Sequence, residues 1–269
     1  MKRRLPYVAG YFYPEKEREL TLLLKEFIQQ VPKKTPVWAC IVPHAGYIYS
    51  GKVAGKVYSS IEIPDTVILL GPNHNGLGNP AAIFKEGIWS TPLGDVEIDN
   101  ELANKIFKYS SHLKDDPSAH QPEHSLEVQI PFLQFLKSKI RIVPITISNY
   151  KFEVLSDLGI AISKAIAENN QEVMIIASSD FSHYEPHEIA KQKDLYAIEA
   201  ILNLDEKEFI DRVIKEDISI CGVGPIVVTI IAVKLLGGIS GKLLDYKTSG
   251  DVTKDFSQVV GYAGIIFPK

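Results

Sequence analysis

Short runs of β-branched residues alternate with longer amphipathic stretches along the whole chain. The short runs predict strands over Val37–Val42, Thr66–Leu70, Ala81–Phe84, Arg141–Ile147, Glu172–Ala177, Lys242–Tyr246 and Val259–Phe267. Apolar residues at helical spacing predict helices over Glu15–Gln30, Asn100–Tyr109, Glu123–Lys137, Phe152–Glu168, Glu188–Leu202, Glu206–Ile214 and Pro225–Leu236. Several strands are apolar almost throughout, which is typical of strands covered on both faces. The pattern therefore predicts an α/β fold in which helices cover both faces of one mostly parallel sheet.

The connections between these elements give no sign of a domain boundary. The 269 residues contain no internal repeat, no low-complexity tract and no long Gly/Ser linker. The segment Ser240–Ser257 is rich in Gly, Thr and Asp, which favours a hairpin. We expect a single α/β domain over residues 1–269.

Composition and charge exclude several classes of partner. The net charge is −4 and the basic residues are scattered, so we expect no nucleic-acid partner. The longest largely apolar run, Ile226–Val233, is far shorter than the about 20 residues that span a bilayer, so we expect no membrane partner. The basic residues at positions 2–4 are not followed by the apolar segment of a signal peptide. With only two cysteines, the chain fits a reducing compartment, and we expect it in the cytoplasm.

Polar residues collect directly after three of the predicted strands. His44 follows the strand that ends at Val42, and His74 follows the strand that ends at Leu70. The third strand leads into Ser178-Ser179-Asp180-Phe181-Ser182-His183. Because open α/β sheets bind ligands just beyond the carboxyl ends of their strands, these positions predict one shared site.

The residue types at these strand ends suit metal binding and acid–base chemistry. Neutral imidazoles such as His44 and His74 are the commonest metal ligands in proteins. Cys221, flanked by glycine just before an apolar helix, is either a positioned thiol or a small buried residue, whereas Cys40 lies mid-strand and is predicted to be in the core. Asp180 either orients an imidazole, with His183 as the base, or caps the following turn.

Two familiar patterns in the chain do not fit their usual contexts. His120-Gln121-Pro122-Glu123-His124 matches a zinc-protease string, but Pro122 is not tolerated inside the helix that this motif needs. Gly222-Val223-Gly224 lacks the third glycine of a dinucleotide-binding loop.

Taken together, motifs along nearly the whole chain resemble those of the Memo family. They are Ala9-Gly10-Tyr11-Phe12-Tyr13-Pro14, Pro43-His44-Ala45-Gly46-Tyr47, Gly71-Pro72-Asn73-His74, Glu123-His124-Ser125-Leu126-Glu127, Ser178-Ser179-Asp180-Phe181-Ser182-His183 and Ser249-Gly250-Asp251. The resemblance implies a fold similar to that of the class III extradiol dioxygenases, which are non-haem iron enzymes. In prokaryotes, members of this family often accompany a radical-SAM protein, which makes such a protein a possible partner.

The resemblance also implies roles for individual residues. It makes His44, His74 and Cys221 the metal ligands, with Asp180 and His183 as catalytic residues beside them. The residues then expected to contact a substrate are Phe12, Tyr13, Tyr47, Tyr49, His124 and Glu127. In the dioxygenases a glutamate completes the ligand set, whereas this chain has Cys221 there, and thiolate shifts the preference toward softer ions such as Cu(I) or Zn(II). Iron or copper is the expected cofactor.

Three functions are compatible with this sequence. The first is a metal-dependent redox enzyme acting on a small molecule, with His183 as general base. The second is a non-catalytic module that keeps the dioxygenase fold and binds an anionic or peptide ligand in the same pocket. The third is a zinc-dependent hydrolase.

Overall fold

The computed structural model describes residues 2–269 and contains one large mixed sheet. The strands, in chain order, are β1 (Arg3–Arg4), β2 (Val37–Val42), β3 (Thr66–Pro72), β4 (Ala81–Ile83), β5 (Ile88–Thr91), β6 (Gly94–Ile98), β7 (Lys114–Asp115), β8 (Arg141–Ile147), β9 (Val173–Ser178), β10 (His183–Glu185), β11 (Lys242–Thr248) and β12 (Val259–Pro268). Strands β6, β8, β3, β9 and β2 lie side by side and are all parallel. Antiparallel pairs flank this parallel centre on both sides.

Helices cover both faces of the sheet, as the strand pattern predicts. They are α1 (Glu17–Phe27), α2 (Tyr47–Ser60), α3 (Asn100–Tyr109), α4 (Ile130–Leu136), α5 (Phe152–Ala167), α6 (His187–Leu202), α7 (Glu206–Lys215), α8 (Val223–Leu235) and the single turn α9 (Gly250–Thr253). Helix α8 lies on β2, β3 and β9 and packs against α5 and α7. Helix α2 lies on β2 and β12 and packs against α1 and α4. The parallel centre is therefore buried on both sides, which explains its nearly continuous apolar sequence.

The predicted strands are observed within two residues of their predicted ends, but helix α2 was not predicted. Its sequence contains Gly51 and Gly55 together with β-branched and aromatic residues, all of which have low helix propensity. The structure explains both glycines, because a Cβ atom on either one would lie 2.4 to 2.5 Å from atoms of Phe27. Packing of α1 against α2 therefore overrides local propensity.

The helix predicted over Glu123–Lys137 is wrong in its first half. Residues Glu127–Gln129 form one 3-10 turn, and α4 begins only at Ile130. Pro131 in the first turn fixes where the α-helix can begin, because proline lacks the amide hydrogen that an interior position donates. The residues before it form an irregular segment, from which Ser125 and Gln129 hydrogen-bond to Pro72 and Ser178 at the carboxyl ends of β3 and β9. The hairpin predicted within 240–257 extends further than expected, because only β11 lies in that segment and its antiparallel partner is β12, with α9 between the two strands.

No helix within residues 2–269 is long and apolar enough to cross a membrane.

Candidate metal centre

Three neighbouring parallel strands and one helix bring the predicted ligands together. His44 follows β2, His74 follows β3, and Asp180 follows β9, the strand that lies between β2 and β3. Cys221 lies two residues before the start of α8, which packs on these same strands. Residues far apart in sequence therefore meet at the carboxyl edge of the sheet, where the topology predicts a site.

The ligand atoms of His44, His74 and Cys221 form one compact group. All of them lie within 4.8 Å of one another. The Cys221 Sγ is 3.2 Å from His44 Nε2, and the two imidazole rings have centroids 5.1 Å apart. His44 is buried, Cys221 is half-buried and His74 is exposed, so the group is open to solvent on the His74 side. The predicted convergence of these three side chains is confirmed.

A hydroxyl group determines which nitrogen of His44 faces the cysteine. The Ser178 hydroxyl donates to the Ser125 carbonyl at 2.7 Å and accepts from the Gln129 amide at 2.9 Å. Because its only hydrogen is already used, it can only accept from His44 Nδ1, 3.0 Å away. The Nε2 lone pair of His44 therefore points toward Cys221. Burial, followed by the neighbouring imidazoles, holds the pKa of His44 well below its usual value, which keeps the ring neutral.

His74 is held by a buried carboxylate. Glu123 accepts from the His74 main-chain N–H at 2.6 Å and lies 2.9 Å from His74 Nδ1. Burial works to raise the pKa of Glu123, but the hydrogen bond and charge of His74 outweigh it and lower the pKa to about 2. An ionised carboxylate only accepts, so Nδ1 of His74 carries the proton and Nε2 is free. Both imidazoles thus offer the nitrogen that a metal needs.

Asp180 supports the site mainly through the main chain. Its carboxylate accepts from the His44 N–H at 2.8 Å, and its own N–H donates to Cys221 Sγ at 3.2 Å. Burial raises the pKa of Asp180 to about 6. Burial, and then the Asp180 carboxylate, raise the pKa of the Cys221 thiol well above its usual value. Ser178 forms the hydrogen bond to His44 Nδ1, whereas Asp180 Oδ2 lies 4.0 Å from His44 Nε2, so the predicted role of Asp180 beside an imidazole stays a prediction.

His183 is oriented by a carbonyl group and not by Asp180, contrary to the predicted pairing. Its Nδ1 lies 2.8 Å from the Ser219 carbonyl oxygen, which can only accept a hydrogen bond. Nδ1 is therefore protonated and Nε2 is left as the acceptor, the state that a general base requires. When protonated, the ring would lower the pKa of both His44 and Asp180, so it lies near enough to interact with the ligand group.

Two of the predicted substrate contacts lie beside the ligand group. His124 stacks on His74 with ring centroids 4.6 Å apart and an interplanar angle of 20°. The Phe12 ring also packs against His124, with ring centroids 4.7 Å apart. Burial, the largest effect, lowers the pKa of His124 to about 4, so this ring is neutral at physiological pH. Phe12 and His124 together form one wall of the pocket.

The other predicted substrate contacts have different positions. Tyr13, Tyr47 and Glu127 are buried, with relative exposures of 3%, 2% and 0%. Tyr13 donates to Glu127 at 2.6 Å, and Tyr47 donates to a main-chain carbonyl at 2.6 Å. All three are engaged inside the fold, where they hold the N-terminal segment in place, and their predicted contact with a ligand stays a prediction. Tyr49 lines a separate cavity of about 600 Å³.

Residues with a supporting role were missed at the sequence level. Tyr150 follows β8, the fourth parallel strand, and its hydroxyl donates to the Cys221 carbonyl at 3.3 Å. Its position after a strand could have indicated that Tyr150 lies near the site, but tyrosine did not suggest a metal ligand. Glu123 appeared in the histidine string around Pro122 and in the family motif Glu123–Glu127, but neither pattern gave it a role at the metal centre. That string is indeed no zinc-protease helix, because His120 is fully buried in a separate 3-10 turn.

Comparisons with known proteins agree with these motifs. The sequence model of a family described as "Memo-like protein" matches residues 4–266. The chain is 46% identical over 269 residues to a MEMO1 family protein of Aquifex aeolicus, covering 99% of this chain and 100% of that one. It is 44% identical over 279 residues to a MEMO1 family protein of Pyrobaculum arsenaticum, covering 99% of both chains. Among solved structures, the uncharacterized protein JW3007 from Escherichia coli K12 matches with a TM-score of 0.55 at 13% identity, over 85% of this chain and 98% of that chain, a likeness of fold alone.

Proposed function

The chain belongs to the Memo family, and from that premise we propose that it is a metal-dependent oxidoreductase whose iron or copper ion is held by His44, His74 and Cys221. The observation that carries the proposal is the meeting of three good ligand atoms within 4.8 Å from three distant parts of the chain. Imidazole and thiol groups that meet at the carboxyl edge of a parallel sheet are typical of a ligand or metal site.

The donor set fits a metal ion in both chemistry and spacing. Each imidazole has its Nδ1 hydrogen-bonded and its Nε2 free, which is the usual state of metal-bound histidine. Ligands about 2.1 to 2.3 Å from one ion lie roughly 3.0 to 4.4 Å from each other, and the 3.2 Å between Cys221 Sγ and His44 Nε2 falls in that range. Because burial raises the pKa of Cys221, the thiol is protonated in the metal-free protein, and a metal bound to its sulfur would displace that proton.

The chain's own groups supply the remaining functions. When bound, the metal would supply redox chemistry and a positive charge for an anionic substrate. His183, with Nε2 unprotonated, takes a proton from an acidic group of the substrate, such as a phenol hydroxyl. Asp180 fixes the position of the His44 main chain relative to the Cys221 sulfur, because it hydrogen-bonds to both. Phe12, His124 and Tyr150 form the walls against which a small planar substrate packs.

Oxygen uptake by metal-loaded protein tests the catalytic part of this proposal. The protein would be loaded anaerobically with Fe(II), and separately with Cu(I), and then mixed with a panel of catechols in an oxygen electrode. We expect uptake with at least one catechol, and its loss in His183→Ala with metal content retained. Cys40→Ala is the matched control, because this thiol is buried within β2 and is not part of the ligand group.

The competing functions give different results in the same assay. A binding module would hold an anionic peptide with unchanged affinity in His44→Ala and Cys221→Ala, and no catechol would cause oxygen uptake. A zinc hydrolase would show zinc after purification without chelators and would cleave ester or amide substrates. Either result would overturn the oxidoreductase proposal.

A further inference from the structure

We propose that Glu123 is a positioning residue that makes the centre select a divalent ion such as Fe(II) over Cu(I), by placing a buried negative charge on the far side of His74. The inference rests on the proposed function, since it assigns a role within the same metal centre. It concerns a residue that is not itself a ligand of that centre.

The two imidazoles of the centre are held by groups of different charge. His44 Nδ1 contacts the neutral Ser178 hydroxyl at 3.0 Å, whereas His74 Nδ1 contacts the Glu123 carboxylate at 2.9 Å. Both supporting side chains are buried, at 0% and 1% exposure. A carboxylate that accepts from Nδ1–H makes the Nε2 of the same ring a stronger ligand, because it stabilises the positive charge drawn onto the ring.

The hydrogen bonds of Glu123 indicate that it supports a ligand and does not bind the metal. Its two oxygens accept from the His74 main-chain N–H, from His74 Nδ1 and from the Ser125 N–H, the last at 2.9 Å. His74, Glu123 and His124 do have ligand atoms within 4.8 Å of one another. However, a second ion there would have to displace the Nδ1–H bond that fixes His74. The structure therefore favours one ion, bound on the Nε2 side.

Within residues 2–269 no lysine or arginine pairs with the Glu123 carboxylate, because Arg4, which donates to the Glu123 main-chain carbonyl at 2.6 Å, has its ion pair with Glu127. In that range the only ionic partners of the Glu123 carboxylate within 4.0 Å are the imidazoles of His74 and His124. The contrast with Glu127 is direct, because that equally buried carboxylate is 2.7 Å from the Arg4 guanidinium. A buried carboxylate is costly unless a positive charge lies nearby to stabilise it. A divalent ion on His74 stabilises the Glu123 carboxylate more than a monovalent ion does. This electrostatic effect favours Fe(II) and opposes the preference of the Cys221 thiolate for Cu(I).

The test compares Fe(II) and Cu(I) dissociation constants in the full-length protein, measured anaerobically by competition with chelators of known affinity. In Glu123→Gln we expect the Fe(II) affinity to fall by about 10- to 100-fold and the Cu(I) affinity to change much less. The ratio of the two affinities is the readout, because general destabilisation would weaken both together. Glu127→Gln is the matched control, and its ratio should equal that of the wild type. An unchanged ratio in Glu123→Gln would overturn the inference.

A measurement on the wild type covers the case in which Glu123→Gln does not fold. Nitrogen-15 NMR of the Zn(II)-loaded protein should show His74 protonated at Nδ1, with that proton shifted far downfield by its bond to a carboxylate. Metal bound through Nδ1, or two ions per chain, would overturn the inference. Failure of the wild type to bind either ion would instead end the proposed function, so the two failures are distinguishable.

Discussion

The Cys221 sulfur lies 3.2 Å from His44 Nε2, although 177 positions separate the two residues in the chain. The turn before α8 brings the thiol to the end of β2 because Gly222 packs on the β9 end. A Cβ atom at position 222 would lie 2.3 Å from the Ser179 side chain. Gly222 also donates its N–H to the Ser179 hydroxyl at 3.0 Å. The close approach of the helix start to the strand end thus depends on a glycine beside the cysteine.

Replacing Asp180 with asparagine should weaken metal binding by roughly tenfold or more. The amide cannot match the carboxylate that accepts from the His44 N–H, so the His44 loop shifts relative to Cys221. Isothermal titration with Fe(II) under argon, alongside thermal unfolding, measures the affinity and checks the fold. An unchanged affinity in a folded variant would show that Asp180 only shapes its own loop.

The two cysteines should differ in their rate of alkylation. Cys40 is fully buried in the middle of β2, whereas Cys221 is half-buried in the pocket. We expect iodoacetamide to label Cys221 first in metal-free protein, and bound metal to protect it by occupying the sulfur. Mass spectrometry of peptides, taken over time with and without metal, follows each site. Earlier labelling of Cys40, or no protection of Cys221, would contradict the assignment.

The protein should become less stable as the pH is lowered, because of His120. The ring is fully buried, with its centroid 5.8 Å from those of Phe84 and Trp89, and burial followed by the Arg4 charge lowers its pKa from 6.5 to about 3. Below pH 6.5 the unfolded chain binds a proton that the folded chain does not. Stability from this group is therefore complete above pH 6.5 and is lost toward pH 3, by up to ~1.4 kcal/mol per pH unit.

The variant His120→Phe isolates this contribution, because it keeps a ring of similar shape and removes the titrating group. Urea denaturation at pH 7.0 and pH 5.0 gives the change in free energy of unfolding for each protein. The wild type should lose more stability between these values than His120→Phe does. His112→Gln is the control, since this partly exposed surface histidine should leave the wild-type change intact. Equal losses in wild type and His120→Phe would refute the prediction.

Helix α2 should be sensitive to a single added methyl group at its contact with α1. In Gly55→Ala the new Cβ would lie 2.5 Å from the Phe27 carbonyl oxygen, so the helices must move apart. We expect a loss of about 1 to 3 kcal/mol from overpacking, despite the higher helix propensity of alanine. Chemical denaturation measures this loss. Lys52→Ala on the exposed side of α2 should change stability by less than about 0.5 kcal/mol.

The two histidine ligands were predictable from sequence because their meeting depends on a general property of parallel sheets, whereas Cys221 was assigned only through the family resemblance. His44 and His74 each follow a buried strand, and the carboxyl ends of adjacent parallel strands meet at one edge. The supporting hydrogen bonds were not predictable in this way. Ser178 rather than Asp180 hydrogen-bonds the His44 ring, and this choice depends on the local path of the loop after β9.

The sequence pattern also could not predict which charged residues are buried. Glu127 was expected to contact a ligand, but it is fully buried because Arg4, 123 positions away, reaches it. Nothing local to Glu127 indicates that partner. The same long-range packing accounts for helix α2, whose glycines have low helix propensity but fit Phe27.

Anaerobic metal titration of wild type and Cys221→Ser, combined with elemental analysis, tests the central claim most directly. The claim is that His44, His74 and Cys221 form one metal centre. We predict one iron or copper ion per wild-type chain, an affinity at least about tenfold lower in Cys221→Ser, and wild-type binding in Cys40→Ala. Wild-type protein that binds neither ion, or Cys221→Ser that binds as tightly as the wild type, would contradict it.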